Sequence, residues 1–204
     1  MIAKQLHVRL VAVVVVALAA LALPTSAQAQ LGATCPLRSV AQVFLPWGDL
    51  GWYASVPDGG LEAGGGSWDL RGGAHVVEEN EPFHVRRATD RWSLALVPGA
   101  SAASASMCIG PGHPTVRFFV RNSGSDQAVL TVTVEFTDPS GAQQSVPIGV
   151  IGAGAEWQPS PPLPVAINLL SLLAIQHASF RFTASGGGGH WGIDDVYVDP
   201  YGKG

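Results

Sequence analysis

The sequence predicts an all-β protein, a sandwich or a barrel built from short antiparallel strands. Two observations carry this. The longest regular patterns alternate apolar and polar residues with period two, the signature of half-buried strands. Turn signals separate them: Asn122-Ser123-Gly124-Ser125, Asp138-Pro139-Ser140-Gly141 and the glycine run after Ser185. The 25 Gly and 15 Pro among 204 residues leave little uninterrupted chain for helices.

Residues 115–121 are the first clear strand. Val116, Phe118 and Val120 share one face, and Arg117, Phe119 and Arg121 the other. In residues 128–136, Leu130, Val132, Val134 and Phe136 oppose Thr131, Thr133 and Glu135. Residues 179–183 set Phe180 and Phe182 against Arg181. Residues 92–97 and 145–151 are shorter candidates. Residues 165–173, VAINLLSLL, space their apolar residues nearly as a helix does, so one short helix or a loop over a sheet end is expected there. No repeat of solenoid period is present.

The first 29 residues read as a secretory signal peptide. Lys4 and Arg9 precede an unbroken apolar run of 14 residues, and Ala27-Gln28-Ala29 is a small-x-small cleavage signal. The run is short for a membrane span, which takes about 20 residues. The expected product is a secreted or envelope-associated chain of one domain, with residues 30–56 as an arm and 57–204 as the sandwich. Cleavage removes Lys4 and Arg9 but none of the 15 acidic residues, which leaves nine basic residues and a net charge of −6. An acidic chain without a basic stripe does not suit nucleic acid or an anionic lipid surface. Cys35 and Cys108 are the two cysteines, and in an exported chain the expectation is a disulfide tying the arm to the sandwich.

The tail GGGGHWGIDDVYVDP places Asp194 and Asp195 inside a strand-like run. Asp is a poor strand former. By alternation one of the two points to the core, unless a β-bulge at the pair resets the register. A buried carboxylate needs a cation, donors or a proton.

Asp58-Gly59-Gly60-Leu61-Glu62, a Gly-rich step and Trp68 resemble the opening of carbohydrate-binding-module-like jelly rolls of the galactose-binding superfamily. Trp191-Gly192-Ile193-Asp194-Asp195-Val196 resembles their closing strand. The resemblance spans residues 58–201 and departs at Asp58, where those domains carry Asn, and at Leu61, where they carry Phe. The whole chain is also similar to exported proteins of high-GC Gram-positive bacteria. The resemblance implies an all-β, antiparallel jelly-roll β-sandwich with an N-terminal extension and at most one short helix. It also implies a structural Ca²⁺ clipping the first strand to the last, with Glu62 and Asp194 as ligands. Ca²⁺ suits such a site because it accepts six to eight oxygens, backbone carbonyls included.

Sugar-binding modules cover a sugar ring with an aromatic face and hold its hydroxyls with a few polar groups. Arg117, Phe119 and Arg121 form one candidate patch, with Trp157 as a further candidate. For Phe119 the competing reading is burial under residues 165–173 or the N-terminal arm. Phe44, Trp47, Trp52 and Tyr53 form another patch, and anchoring a loop to the core is its competing reading. Residues 78–81, Glu-Glu-Asn-Glu, read as a solvated acidic turn. Hydrolytic chemistry has weaker support. Asp194 with Glu62, or Asp69 with Glu78, would need to face each other across a cleft. Ser101, Ser104 and Ser106 lie in no nucleophile elbow, and His75, His84, His113, His177 and His190 have no zinc-ligand spacing. The expected function is therefore non-catalytic binding of a glycan or cell-wall polymer. A structural or protein-interaction role in the envelope is the alternative.

Overall fold

The computed structural model describes residues 35, 38–110, 113–138, 140–165 and 176–199. The signal-peptide region and residues 166–173 of the helical pattern lie outside them. All described residues belong to one unit, Ala33–Gly204.

Among the described residues fourteen strands run in chain order. They are β1 (Val40–Ala41), β2 (Tyr53–Ser55), β3 (Asp69–Arg71), β4 (His75–Glu78), β5 (Trp92–Leu96), β6 (Ser101–Ala103) and β7 (Met107–Ile109), then β8 (Thr115–Asn122), β9 (Val129–Thr137), β10 (Gln143–Ile151), β11 (Gln158–Pro159), β12 (Leu163–Pro164), β13 (Gln176–Ser185) and β14 (Trp191–Val198). Between β1 and β2 sits a 3₁₀ turn, Leu45–Trp47, which ends on Gly48 with φ of 78°. A left-handed residue there favours glycine.

Two antiparallel sheets result. In the first, β14 is central. One side pairs with β8, which carries β11 and β12 on its far edge, and the other pairs with β5 and β2, which lead to β4 and β1. In the second, the order is β10-β9-β13-β6-β3, with β7 also on β13. Of the sandwich or barrel expected from alternation, the antiparallel β-sandwich is what forms. Residues 40–41 and 53–55 of the expected arm are part of the first sheet, since β2 hydrogen-bonds to β14 and carries β1 with it.

The inward parity holds in β8, β9 and β13. Val116, Phe118 and Val120 of β8 meet Leu130, Val132 and Val134 of β9 and Phe180 and Phe182 of β13 in one core. Phe182 packs edge-on to Phe118 at 4.9 Å and stacks against Trp68 at 6.1 Å. Trp191 is 2% exposed and anchors the start of β14 in this core. Cys35 and Cys108 form the expected disulfide, with Cα atoms 5.5 Å apart.

The tail carries the bulge. Asp194 pairs with Phe119 and Tyr197 with Arg117, so the register shifts between them. Asp195 sits at φ of 48°, a left-handed conformation that Asp tolerates better than most residues. The extra residue keeps Ile193 and Val196 both in the core and puts both aspartates between them.

Candidate functional site

The outer face of the first sheet gathers the sequence-predicted ligand residues and covers them. Phe119 is 0% exposed and Arg117 is 7%. Phe44 stacks on Phe119 at 5.4 Å, Trp47 meets it edge-on at 5.2 Å, and Phe83 lies 5.6 Å away. With Tyr53, Tyr197 and Val43 these rings form a second apolar cluster on the outside of the sheet. Arg117 donates to Asp49 at 2.6 Å and twice to the Ser160 carbonyl, and its guanidinium lies 4.3 Å above the Phe44 ring. Arg121 pairs with Glu79 at 2.6 Å and lies 5.5 Å from the Trp157 ring, whose indole N–H also points at Glu79. The expected patch of Arg117, Phe119, Arg121 and Trp157 therefore exists as a group, but two of its members are closed to a ligand while residues 42–52 lie over them. Burial releases Phe119 from water, and that drives the closure. In the N-terminal aromatic group, Phe44 and Tyr53 are buried anchors, and Trp52 is 52% exposed.

Asp49 is shaped for its role under this cover. Burial raises its pKa, but hydrogen bonds from Tyr53 and the Gly51 N–H, together with Arg117, outweigh it and hold the carboxyl below its usual value.

Glu62 and Asp194, the expected Ca²⁺ ligands, are each occupied by backbone amides. Glu62 accepts from the N–H groups of Arg91 and Trp92 through one oxygen. Asp194, 0% exposed, accepts from Glu81 N–H at 3.0 Å and from Asp195 N–H at 2.7 Å. Beside it, Asp195 is 1% exposed and neither carboxylate oxygen has a hydrogen-bond partner. Arg86 lies 3.9 Å from Asp195 but commits its Nε to Asp90 at 2.8 Å. Burial pushes both aspartates well above the ordinary carboxylate range. For Asp194 the neighbouring Asp195 charge adds to this against its two amide donors, and for Asp195 the Arg86 charge opposes it while Glu81 and Asp90 add to it. Among the described residues no group of three or more His, Cys, Asp or Glu is arranged to hold a metal.

Glu81 corrects the reading of the acidic turn. It is 0% exposed, and its carboxylate accepts from the N–H groups of Phe83, His84 and Val85. Its own N–H goes to Asp194. Sequence missed it because acidic runs are usually solvated; Pro82 and the Phe83 that follow were the available sign of a tight turn. The carboxylates considered for hydrolysis are also placed. Asp69 lies in the second sheet, bound to Arg71 and Arg181, and Glu78 lies in the first, bound to Arg91.

The outer face of the second sheet differs in chemistry. Thr131, Thr133 and Glu135 of β9, Ser179, Arg181 and Thr183 of β13 and Ser101 of β6 face outward in register. At their centre Arg181 donates to Glu135 at 2.6 and 3.1 Å and to Asp69 at 3.0 Å, and Asp69 also binds Arg71 at 2.7 Å. Hydroxyls flank a fixed fork of charges. The Arg181 nitrogens are engaged by Glu135, Asp69 and Ser101 and Thr133 is buried, so the half-buried hydroxyls of Thr131, Ser179 and Thr183 and the outer lone pairs of the carboxylates are what this face offers a ligand.

No protein-family model matches the sequence, and no curated protein does. Among solved structures, the fold is similar to the tandem of two family-22 carbohydrate-binding modules at the N-terminus of Paenibacillus barcinonensis Xyn10C. The TM-score is 0.53 at 14% identity, covering 84% of this chain and 48% of that one. It is also similar to the family-22 module with its glycoside hydrolase family 10 module from Clostridium thermocellum xylanase 10B, complexed with xylohexaose. Here the TM-score is 0.54 at 14% identity, over 72% of this chain and 28% of that one. The fold is thus the antiparallel β-sandwich found in carbohydrate-binding modules.

Proposed function

We propose that the protein is a secreted, non-catalytic β-sandwich module that binds glycan, in the cell envelope or outside it, through the outer face of its second sheet. The observation that supports this most is the hydroxyl-flanked Arg181 fork with Glu135 and Asp69. Sugar hydroxyls are matched by such paired donors and acceptors. The fold adds a prior, since fold alone does not fix function. Affinity electrophoresis of the purified protein through gels containing soluble xylan, galactan or mixed-linked glucan tests it. Retardation by at least one polymer is expected. Equal mobility in every gel, and no binding to isolated cell wall, would count against it.

A protein-interaction role is the second reading, favoured by one observation. Leu45, Leu50 and Trp52 of the N-terminal segment are 46%, 64% and 52% exposed. Three large apolar side chains exposed within eight residues of chain are the kind of surface that partners cover.

The structural Ca²⁺ belongs to the first reading. Glu62 and Asp194 would use the lone pairs their hydrogen bonds leave free, together with backbone carbonyls. The support is local charge: Glu81, Asp90, Asp194 and Asp195 are all buried, and Arg86 is the cation at Asp90 and Asp195. A bound cation would supply the missing positive charge.

A further inference from the structure

The chain between β1 and β2, residues 42–52, is bound mostly to itself. Leu45, Trp47, Gly48 and Asp49 donate their N–H groups to carbonyls of residues 42–45. The Gln42 side chain reaches the Leu50 carbonyl, and Gly51 N–H reaches Asp49. Tyr53 of β2, at the foot of the segment, donates its hydroxyl to Asp49. Beyond that foot, the one hydrogen-bonded tie to the rest of the described residues is Arg117 to Asp49. Its ends are held together by the pairing of Val40 with Ala54 and Ala41 with Tyr53. A short loop with closed ends and its own backbone hydrogen bonds has the form of an Ω-loop, and its rings Phe44 and Trp47 pack down onto the sheet face.

What the loop covers has the chemistry of a binding groove. The Phe44 ring fills the space between Phe119, Tyr53 and Tyr197, under the Arg117 guanidinium. Five residues on, Asp49 supplies the carboxylate that Arg117 binds. If the loop swings away, Arg117 stays aimed by its two bonds to the Ser160 carbonyl. It then loses the one carboxylate it holds among the described residues, beside uncovered aromatic rings.

We infer that residues 42–52 are a lid, and that the face beneath is a second binding groove for a peptide segment carrying an aromatic ring and, a few residues on, a carboxylate. The lid occupies the groove as that ligand would. A ligand that supplies both groups stabilises the open state, and one that lacks the carboxylate leaves the Arg117 charge with no carboxylate against it. The groove lies on the opposite sheet from the proposed glycan face and stands independently of it.

Hydrogen exchange on the intact wild-type protein tests the lid. The amides of Leu45, Trp47, Gly48 and Asp49 should exchange about 100-fold faster than those of β8 and β14, through local opening. Exchange of all of them at the rate of β8 and β14 would overturn the lid. A fluorescein-labelled peptide with the sequence of residues 42–52 tests the groove. Phe44→Ala should bind it at least about 10-fold more tightly than wild type, and the gain should vanish with added Arg117→Gln. A folded Phe44→Ala that binds no better than wild type, or binds a scrambled peptide equally, overturns the groove. Should Phe44→Ala not fold, Asp49→Asn replaces it. It should speed loop exchange and raise peptide binding without altering β8 and β14, and no change in either measurement overturns the inference.

Discussion

Arg117 on β8 and Asp49, 68 residues earlier, meet at 2.6 Å across the outer face of the first sheet. The pair joins the N-terminal segment to the sandwich and shuts the face where the sequence offered one candidate sugar patch, with burial of Phe119 as the competing reading. Arg117→Ala removes that pair, both bonds to the Ser160 carbonyl and the contact with the Phe44 ring. We expect a loss of about 2–3 kcal/mol in stability by chemical denaturation. A loss below about 0.5 kcal/mol would show that the face is held by its aromatic rings alone.

Arg181 should behave differently. Arg181 is 16% exposed, but its partners Asp69 and Glu135 are 45% and 30% exposed, so solvent screens the pairs and their contribution to stability is small. Arg181→Ala should leave the unfolding midpoint nearly unchanged, within about 1 kcal/mol, and reduce polysaccharide retardation at least about 10-fold. Undiminished binding would move the glycan off this face.

Reducing the Cys35–Cys108 bond should destabilise the fold. The bond spans 73 residues, and the chain-entropy treatment of such a loop gives about 4 kcal/mol. Denaturation with and without reductant measures it, with Cys108→Ser as the control. Coincident curves would show that the tether does not restrict the unfolded chain.

The aspartate pair sets a pH dependence. Both native pKa values are raised, while the unfolded chain titrates near about 4. Between those values the folded state holds more protons, so stability falls as pH rises from about 4 through neutrality. Asp195→Asn should flatten that fall, seen as melting temperature against pH. A rise in stability across that range would show that the carboxylates are compensated in the native state.

A cation at the same place would do just that. With millimolar Ca²⁺ the melting temperature at pH 8 should rise, and chelator should return it to the metal-free value. A midpoint indifferent to both Ca²⁺ and chelator would sink the clip.

The core was legible in the sequence because alternation reports burial directly. Val116, Phe118 and Val120, and Phe180 and Phe182, fall inward as their parity requires. Parity fails where one residue is added. At Asp194 and Asp195 the bulge buries both aspartates, where alternation sent one inward and named the bulge as the exception. Parity also cannot say what covers an outward residue. Phe119 was correctly placed facing out, and whether sugar or loop lay over it depended on residues 42–52, 67 or more positions away. The short strands β1, β3, β6 and β7 span two or three residues, too few for a periodic signal, and tertiary pairing decides them. Glu81 was missed for a related reason, since its burial rests on a turn and on Asp194, far along the chain.

Isothermal titration of the purified wild-type protein with soluble xylan, galactan and mixed-linked glucan, repeated with Arg181→Ala, tests the glycan-binding reading most directly. Saturable heat with at least one polymer, lost in the variant, is the predicted result. No saturable heat with any polymer or with solubilised cell wall would contradict glycan binding, and equal heat in the variant would contradict its assignment to the second sheet.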